Sequence, residues 1–209
     1  MGTLLRHDQQ LITILTQENT MTFAKKMMTA TAALALTTGA AFADAHAMNP
    51  MVGGAEMSAE KNIIENAVNS ADHTTLVAAV KAAGLVETLS GEGPFTVFAP
   101  TNAGFDRLDA GAVENLLKPE NKDQLTEVLT CHVVGKAVMA EALQGMIKDD
   151  GGEHPVPTLG GCTLQASYAD DGRMMLADEN GNAAFVTIAD VKQSNGVIHV
   201  IDGVMLPKQ

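Results

Sequence analysis

The chain has 209 residues, enough for one ordinary domain or for one domain with a leader. Thirteen Lys and Arg against 25 Asp and Glu give a formal net charge of −12, which repels phosphate backbones and argues against nucleic-acid binding through a basic groove. Six Phe, one Tyr and no Trp supply too little π surface for sugar-stacking platforms, while 46% hydrophobic against 18% charged residues excludes wholesale disorder and predicts an aliphatic core.

Residues 1–20 place Arg6, Asp8 and Glu18 ahead of Met21, where they serve no export purpose; they read as an over-long start. Met21-Thr22-Phe23-Ala24-Lys25-Lys26 is a short basic start, Met27 to Phe42 is uncharged and rich in Ala, Leu and Thr, and Ala41-Phe42-Ala43 closes with small residues. That order is the pattern of a secretory signal peptide over residues 21–43; a buried amphipathic helix is the alternative. The apolar stretch is too short and alanine-rich to hold a membrane, and no later run reaches a spanning length, so no transmembrane segment is expected. The product is read as exported.

Residues 44–58 are small, bear Gly and Met, and lack periodicity, which predicts a flexible N-terminal arm before a single domain over 59–209. Cleavage after Ala43 would start the chain at Asp44-Ala45-His46, where a free amine, two amide nitrogens and an imidazole can close a square-planar set suited to Cu(II) or Ni(II). Met48, Met51 and Met57 add soft thioethers that prefer Cu(I). An accident of leader residues is the alternative, and a cut after Ala47 would delete the geometry.

Within the domain, Ser58 is expected to cap a helix with Ile63, Ile64, Ala67 and Val68 at helical spacing. Asp72 is expected to cap a second, with Leu76, Val77 and Val80 on one face and Gly84 as its stop. Phe95 to Pro100 reads as a short strand between two prolines, and Thr101 opens a short helix through Phe105 and Leu108. A further helix starts near Pro119-Glu120 and buries Leu125, Val128 and Leu129. Lys148 to Gly161 reads as loop. Runs 162–168, 173–177 and 183–188 are separated by Asp171-Gly172 and by Glu179 to Asn182, which predicts an antiparallel meander. Gly196 to Leu206 is apolar on both faces and should contain a central strand. The fold class is α+β, with helices segregated beside a sheet.

Cys131 and Cys162 are the only cysteines, and in an exported chain a lone pair favours a disulfide. Two inert buried thiols or a redox pair are the alternatives, the last without the C-x-x-C spacing that lowers a thiol pKa.

Three runs together resemble one family. They are Phe95-Thr96-Val97-Phe98-Ala99-Pro100-Thr101-Asn102-Ala103-Gly104-Phe105, then Cys131-His132-Val133-Val134, then Asn195-Gly196-Val197-Ile198-His199-Val200-Ile201-Asp202 with Val204 to Pro207 after it. From about Lys61 to Pro207 the chain is similar to the fasciclin-like FAS1 domain. The resemblance implies a wedge-shaped β-sandwich with helices at one edge, and secreted or surface proteins that mediate adhesion or matrix contacts without enzymatic activity. The family's second motif is commonly Tyr-His; Cys131 stands in the tyrosine's place, so no receptor role is carried over to His132. With a Lys-Lys leader and no Asn-x-Ser/Thr sequon, the chain looks like a bacterial periplasmic or secreted member.

His199 shares a strand face with Val197 and Ile201, so it reads as a buried histidine bonded to backbone; a catalytic or metal role for it or His132 needs partners that the sequence does not supply. Asn195, Gly196 and Asp202 read as turn-formers, and Asp106 and Asp109 as helix-surface carboxylates. The acidic stretch Asp149-Asp150-Gly151-Gly152-Glu153 lacks the alternating spacing of a Ca²⁺ loop and reads as solvated surface. The expected function is an exported binding module whose partner is a surface or matrix protein, with no cofactor. A periplasmic copper- or small-ligand-binding protein using Asp44, His46, Met48 and Met51 is the alternative. The oligomeric state is not legible.

Overall fold

The computed structural model describes residues 49–208. The leader, the first part of the arm and the candidate ligands Asp44, His46 and Met48 lie outside the described residues.

The N-terminal segment departs from the expected arm. Strands β1 (Met51–Val52) and β2 (Ala55–Glu56) form a tight hairpin around Gly53 and Gly54, whose φ angles of 57° and 75° suit a two-residue turn that few other residues enter. Val52 and Met57 are buried in the core, and the Gly53 carbonyl accepts from Ala71 N–H at 3.0 Å. Two apolar anchors and a Gly-Gly turn therefore hold residues 51–57 against the domain.

Helix α1 (Ile63–Ala67) is capped by Asn62, not Ser58. The Asn62 side chain accepts from Glu65 N–H at 2.9 Å and the Glu65 carboxylate accepts from Asn62 N–H at 2.8 Å, a reciprocal pair that Ser58, four residues earlier, cannot form. A 3-10 turn (Ala71–His73) leads into α2 (Thr74–Ala83), which ends at left-handed Gly84. Asp72 makes no cap; Asn102 does so from a distant part of the chain, accepting from Thr75 N–H at 3.0 Å. Helix α3 (Val86–Ser90) precedes β3 (Phe95–Pro100), and Thr101 caps α4 (Asn102–Phe105) through Gly104 N–H at 3.2 Å. Helix α5 (Ala112–Leu116), a 3-10 turn at Pro119–Asn121 and α6 (Lys122–Thr130) follow, and α6 buries Leu125, Val128 and Leu129.

After β4 (Val133–Val134), α7 (Ala140–Asp149) buries Leu143 and Ile147, one helical turn apart. The stretch read as loop up to Gly161 contains a strand, β5 (Glu153–Pro157), paired antiparallel with β6 (Thr163–Tyr168). Pro155 and Pro157 are compatible with pairing because β5 lies at the sheet edge, where every second N–H has no neighbour to serve. Strands β7 (Met174–Ala177), β8 (Ala183–Gln193) and β9 (Gly196–Ile201) continue the meander.

One seven-stranded sheet results, in the order β4-β3-β9-β8-β7-β6-β5. All neighbours are antiparallel except β3 and β9, which run parallel from Phe95 opposite Gly196 to Pro100 opposite Ile201. Strand β8 pairs with β7 through residues 183–185 and with β9 through 186–193, with bulges near Ile188 and a left-handed Asp190 at φ 59°. Bulges bend a strand, so the two ends of the sheet share a core. Phe98 and Ile201 meet Leu164, Ala166 and Leu176 there, under Leu143 and Ile147 of α7. Val97, Ala99, Ile198 and Val200 face the other way, into a second core covered by α1, α2 and α6.

Cys131 at the end of α6 is bonded to Cys162 just before β6, with Cα atoms 5.3 Å apart and both residues buried. The turn between β5 and β6 docks on the same spot, since Gly160 N–H donates to Thr130 O at 3.0 Å and Leu159 N–H to Val133 O at 2.8 Å. A Cβ on Gly160 would lie 2.6 Å from Cys131 N, so only glycine fits this approach. The bridge thus staples the helical part to the meander. Replacing both cysteines with serine is expected to cost about 3–4 kcal/mol of unfolding free energy, the chain-entropy value for a loop of this length; urea denaturation of the two proteins measures it.

Candidate functional site

The three sequence motifs meet on the β3–β9 pair, and their polar side chains are engaged by the fold. At the start of the pair, Asn195 accepts from Ile63 N–H at 3.0 Å and donates to the Leu89 and Gly91 carbonyls, both at 2.9 Å. One side chain thereby serves the N-terminus of α1 and the C-terminus of α3, satisfying groups that helices leave unpaired. Gly196 passes so close to β3 that a Cβ would lie 2.1 Å from Phe95 O. At mid-strand, Thr96 Oγ1 donates to Lys136 O at 2.6 Å and accepts from Val138 N–H at 2.8 Å. At the far end, Asn102 Nδ2 donates to Ala71 O at 2.8 Å while its oxygen caps α2, and Asp202 accepts from Phe185 N–H at 2.7 Å. Arg107 bonds the Asp202 carbonyl at 2.7 Å and pairs with its carboxylate at 3.3 Å.

His132 and His199 are both buried and do not meet in one constellation. His132 Nδ1–H donates to Val128 O at 2.8 Å, and Nε2 accepts from Met205 N–H at 2.9 Å. His199 stacks on Phe98 at 5.6 Å between ring centroids; its Nε2–H donates to Val138 O at 2.8 Å and Nδ1 accepts from Asp190 N–H at 3.3 Å. Each ring uses one nitrogen as donor and one as acceptor, which only the neutral imidazole can do. Burial pushes His132 down to about 4, against smaller opposing effects of the Val128 carbonyl and Asp178. Burial also lowers His199 and His73. His73 is 4% exposed, and its Nδ1 lies 2.8 Å from Ser70 Oγ.

Two anchoring groups escaped the sequence reading. Buried Asp178 accepts from Asn180 N–H, Asn182 N–H and Asn182 Nδ2 at 2.9 Å and from Leu206 N–H at 2.8 Å, organising the β7–β8 turn. Its signal was an Asp two residues before Asn-Gly, a common side-chain-closed turn. Fully buried Asn66 bonds both backbone groups of Ser58 and the side chain of Gln193.

Beside Asn195 and Gly196 lies an open groove of about 710 Å³. Its walls are the Ser90–Pro94 loop and residues Ala137 and Met139, and its floor is the Lys192–Val197 turn. Backbone and small side chains dominate it, with Glu92 and Lys192 as its two charged residues. The apolar crevices beneath the helices, about 10 to 30 Å³, are the size of a single water. Among the described residues, no group of three or more His, Cys, Asp or Glu is placed to hold a metal ion. Met51 sits exposed on the β1–β2 hairpin, held by the domain and not on a free arm.

Comparison with known proteins fixes the class. The fold matches a FAS1 domain pair from the insect cell adhesion molecule fasciclin I, with a TM-score of 0.62 and 19% identity over 70% of this chain and 51% of that one. A family profile for the Fasciclin domain matches residues 71–207. Protein sll1483 of Synechocystis sp. is 48% identical over 158 residues, covering 75% of this chain and 79% of that protein. Immunogenic protein MPB70 of Mycobacterium bovis is 32% identical over 68% of this chain and 66% of its own length. Transforming growth factor-beta-induced protein ig-h3 of Sus scrofa is 32% identical over 79% of this chain, which spans only 22% of that protein. The chain belongs to the fasciclin-domain family. Domains of this family are non-enzymatic binding domains.

The histidines set a pH dependence. A base whose folded pKa is depressed binds fewer protons folded than unfolded, so stability rises with pH between the two values. His132 contributes fully above about 6.5 and loses that contribution as pH falls toward 4. At pH 5 its loss is about 2 kcal/mol by linkage, with His199 and His73 acting in the same direction. Unfolding free energy measured in urea is expected to fall between pH 7 and pH 5, and His132→Gln is expected to be weaker at pH 7 but to show a shallower decline.

Proposed function

We propose that the protein is an exported, non-enzymatic binding module that makes protein–protein contacts at the bacterial cell surface, in the periplasm or in the surrounding matrix. Family membership supports the binding role, and a buried disulfide supports an oxidising compartment. Among the described residues no helix is long and apolar enough to cross a membrane.

The observation that carries the reading is the open groove beside Asn195. The polar groups of the motifs are spent on the fold, whereas the groove presents backbone, small side chains and one charge of each sign. Its volume suits a loop or a few side chains of a protein partner. Ala137 lines it and is exposed, so Ala137→Arg fills the groove at no expected cost to the core.

Affinity capture from the envelope and medium of the native host tests this. Wild type is expected to retain a discrete protein that Ala137→Arg loses, with Lys192→Glu weakening the capture. Identical captures by wild type and Ala137→Arg, or nothing retained by either, would contradict it.

A further inference from the structure

The β1–β2 hairpin packs over His73, and the fold leaves that ring half served. Its Nδ1 lies 2.8 Å from Ser70 Oγ, but among the described residues its Nε2 is the one buried side-chain nitrogen or oxygen without a hydrogen-bond partner. The ring borders a crevice of about 30 Å³ that Val52 and Met57 of the hairpin segment help to close. The neutral imidazole stays there at the cost of one unmade bond. The imidazolium would bring a second N–H donor and a full charge among residues that are apolar apart from Ser70. Helices α1 and α2 and strands β3, β8 and β9 add only apolar side chains to the crevice. In the hairpin, Glu56 accepts from Asn49 Nδ2 at 2.7 Å on the exposed side. Exposed Asp72 and the Ala99 backbone favour a charged ring, but burial outweighs them and lowers the pKa.

The cover is lightly fastened. Its turn rests on residues 70–72, where the Gly53 carbonyl accepts from Ala71 N–H at 3.0 Å and a Cβ on Gly53 would lie 2.6 Å from Asp72 N. Its far end is pinned where Ser58 N–H donates to Asn66 Oδ1 at 3.1 Å. Between these points Val52 and Met57 are the buried side chains. A two-stranded hairpin has little stability of its own, and such a unit opens at a lower free energy than the whole domain. We propose that residues 51–57 form an acid-released strap: a proton taken up by His73 frees the hairpin, which swings about Ser58 and uncovers the apolar surface beneath it while the sheet and helices stay folded. Opening admits water to both ring nitrogens, so the released state accepts the proton at about the ordinary histidine value of 6.5. The docked state, with its lower value, is favoured fully above that pH and loses the advantage as pH falls below it.

Amide hydrogen exchange, corrected for the intrinsic rate at each pH, tests the strap. The Ala71 N–H reports docking because Gly53 holds it, and the Phe98 N–H, bonded to His132 O at 2.9 Å, reports the core. In wild type, Ala71 protection is expected to lie below that of Phe98 at both pH 7 and pH 5 and to fall at least about ten-fold between them. His73→Gln and His73→Leu remove the proton acceptor, and either variant with wild-type circular dichroism decides. Its Ala71 protection is expected to be the same at the two pH values, while Phe98 protection still falls through His132. Ala71 protection equal to that of Phe98 at both pH values would overturn the proposal, because the hairpin would then open only with the whole domain. So would an Ala71 protection that does not change with pH in wild type, or one that falls equally without His73.

Discussion

Everything in this domain depends on the parallel pairing of β3 with β9. These strands come from distant parts of the chain, are apolar on both sides, and separate the two cores. Parallel neighbours cannot be joined by a tight turn, and their pairing gains nothing from local connectivity. The register must be fixed by groups that recognise both strands and what lies at their ends. The polar residues of the motifs do this. Asn195 and Gly196 set the start, Thr96 and the Phe98–His199 stack the middle, and Thr101, Asn102, Arg107 and Asp202 the finish.

The same view explains the buried histidines. A hydrogen bond in a low-dielectric interior is strong, but an unpaired polar group there is costly. His132 ties α6 to the segment after β9, and His199 ties β9 to the β8 bulge and to the connection before α7. Each replaces backbone ladder bonds where the sheet has no strand to supply them. Their lowered pKa values follow from burial, the ordinary consequence of a structural role, and both nitrogens of each ring are spent on backbone groups. The surface proposed for binding is the groove at one end of the β3–β9 pair, beside Asn195 and Gly196.

Much of this was legible in the sequence, for physical reasons that differ by element. Phe95–Pro100 announced itself as a short strand and Gly196–Leu206 as a run apolar on both faces, and Asp-Gly and Asn-Gly marked the meander turns, because these signals are local. Pairing between β3 and β9 was not legible, since no local property states which strand a strand adjoins. The α2 cap failed for the same reason: Asn102 serves it from 27 residues away, whereas a reading of adjacent residues points to Asp72. The α1 cap is local, at Asn62, four residues beyond the Ser58 expected, with Asn195 adding a bond from 132 residues away. Strand β5 was hidden by Pro155 and Pro157, which argue against a strand anywhere except at an edge. The hairpin at residues 51–57 was hidden by its small residues, although Val52 and Met57 carried the apolar signal.

Asn195 offers the most direct test of this account, because its side chain makes three bonds to two helix ends and contacts no strand neighbour through them. The measurement is the unfolding free energy of Asn195→Ala by urea titration at pH 7, compared with wild type. Loss of two half-buried bonds and one exposed bond predicts a cost of about 2–4 kcal/mol. An Asn195→Ala protein within about 0.5 kcal/mol of wild type would contradict the claim that the motif residues lock the fold.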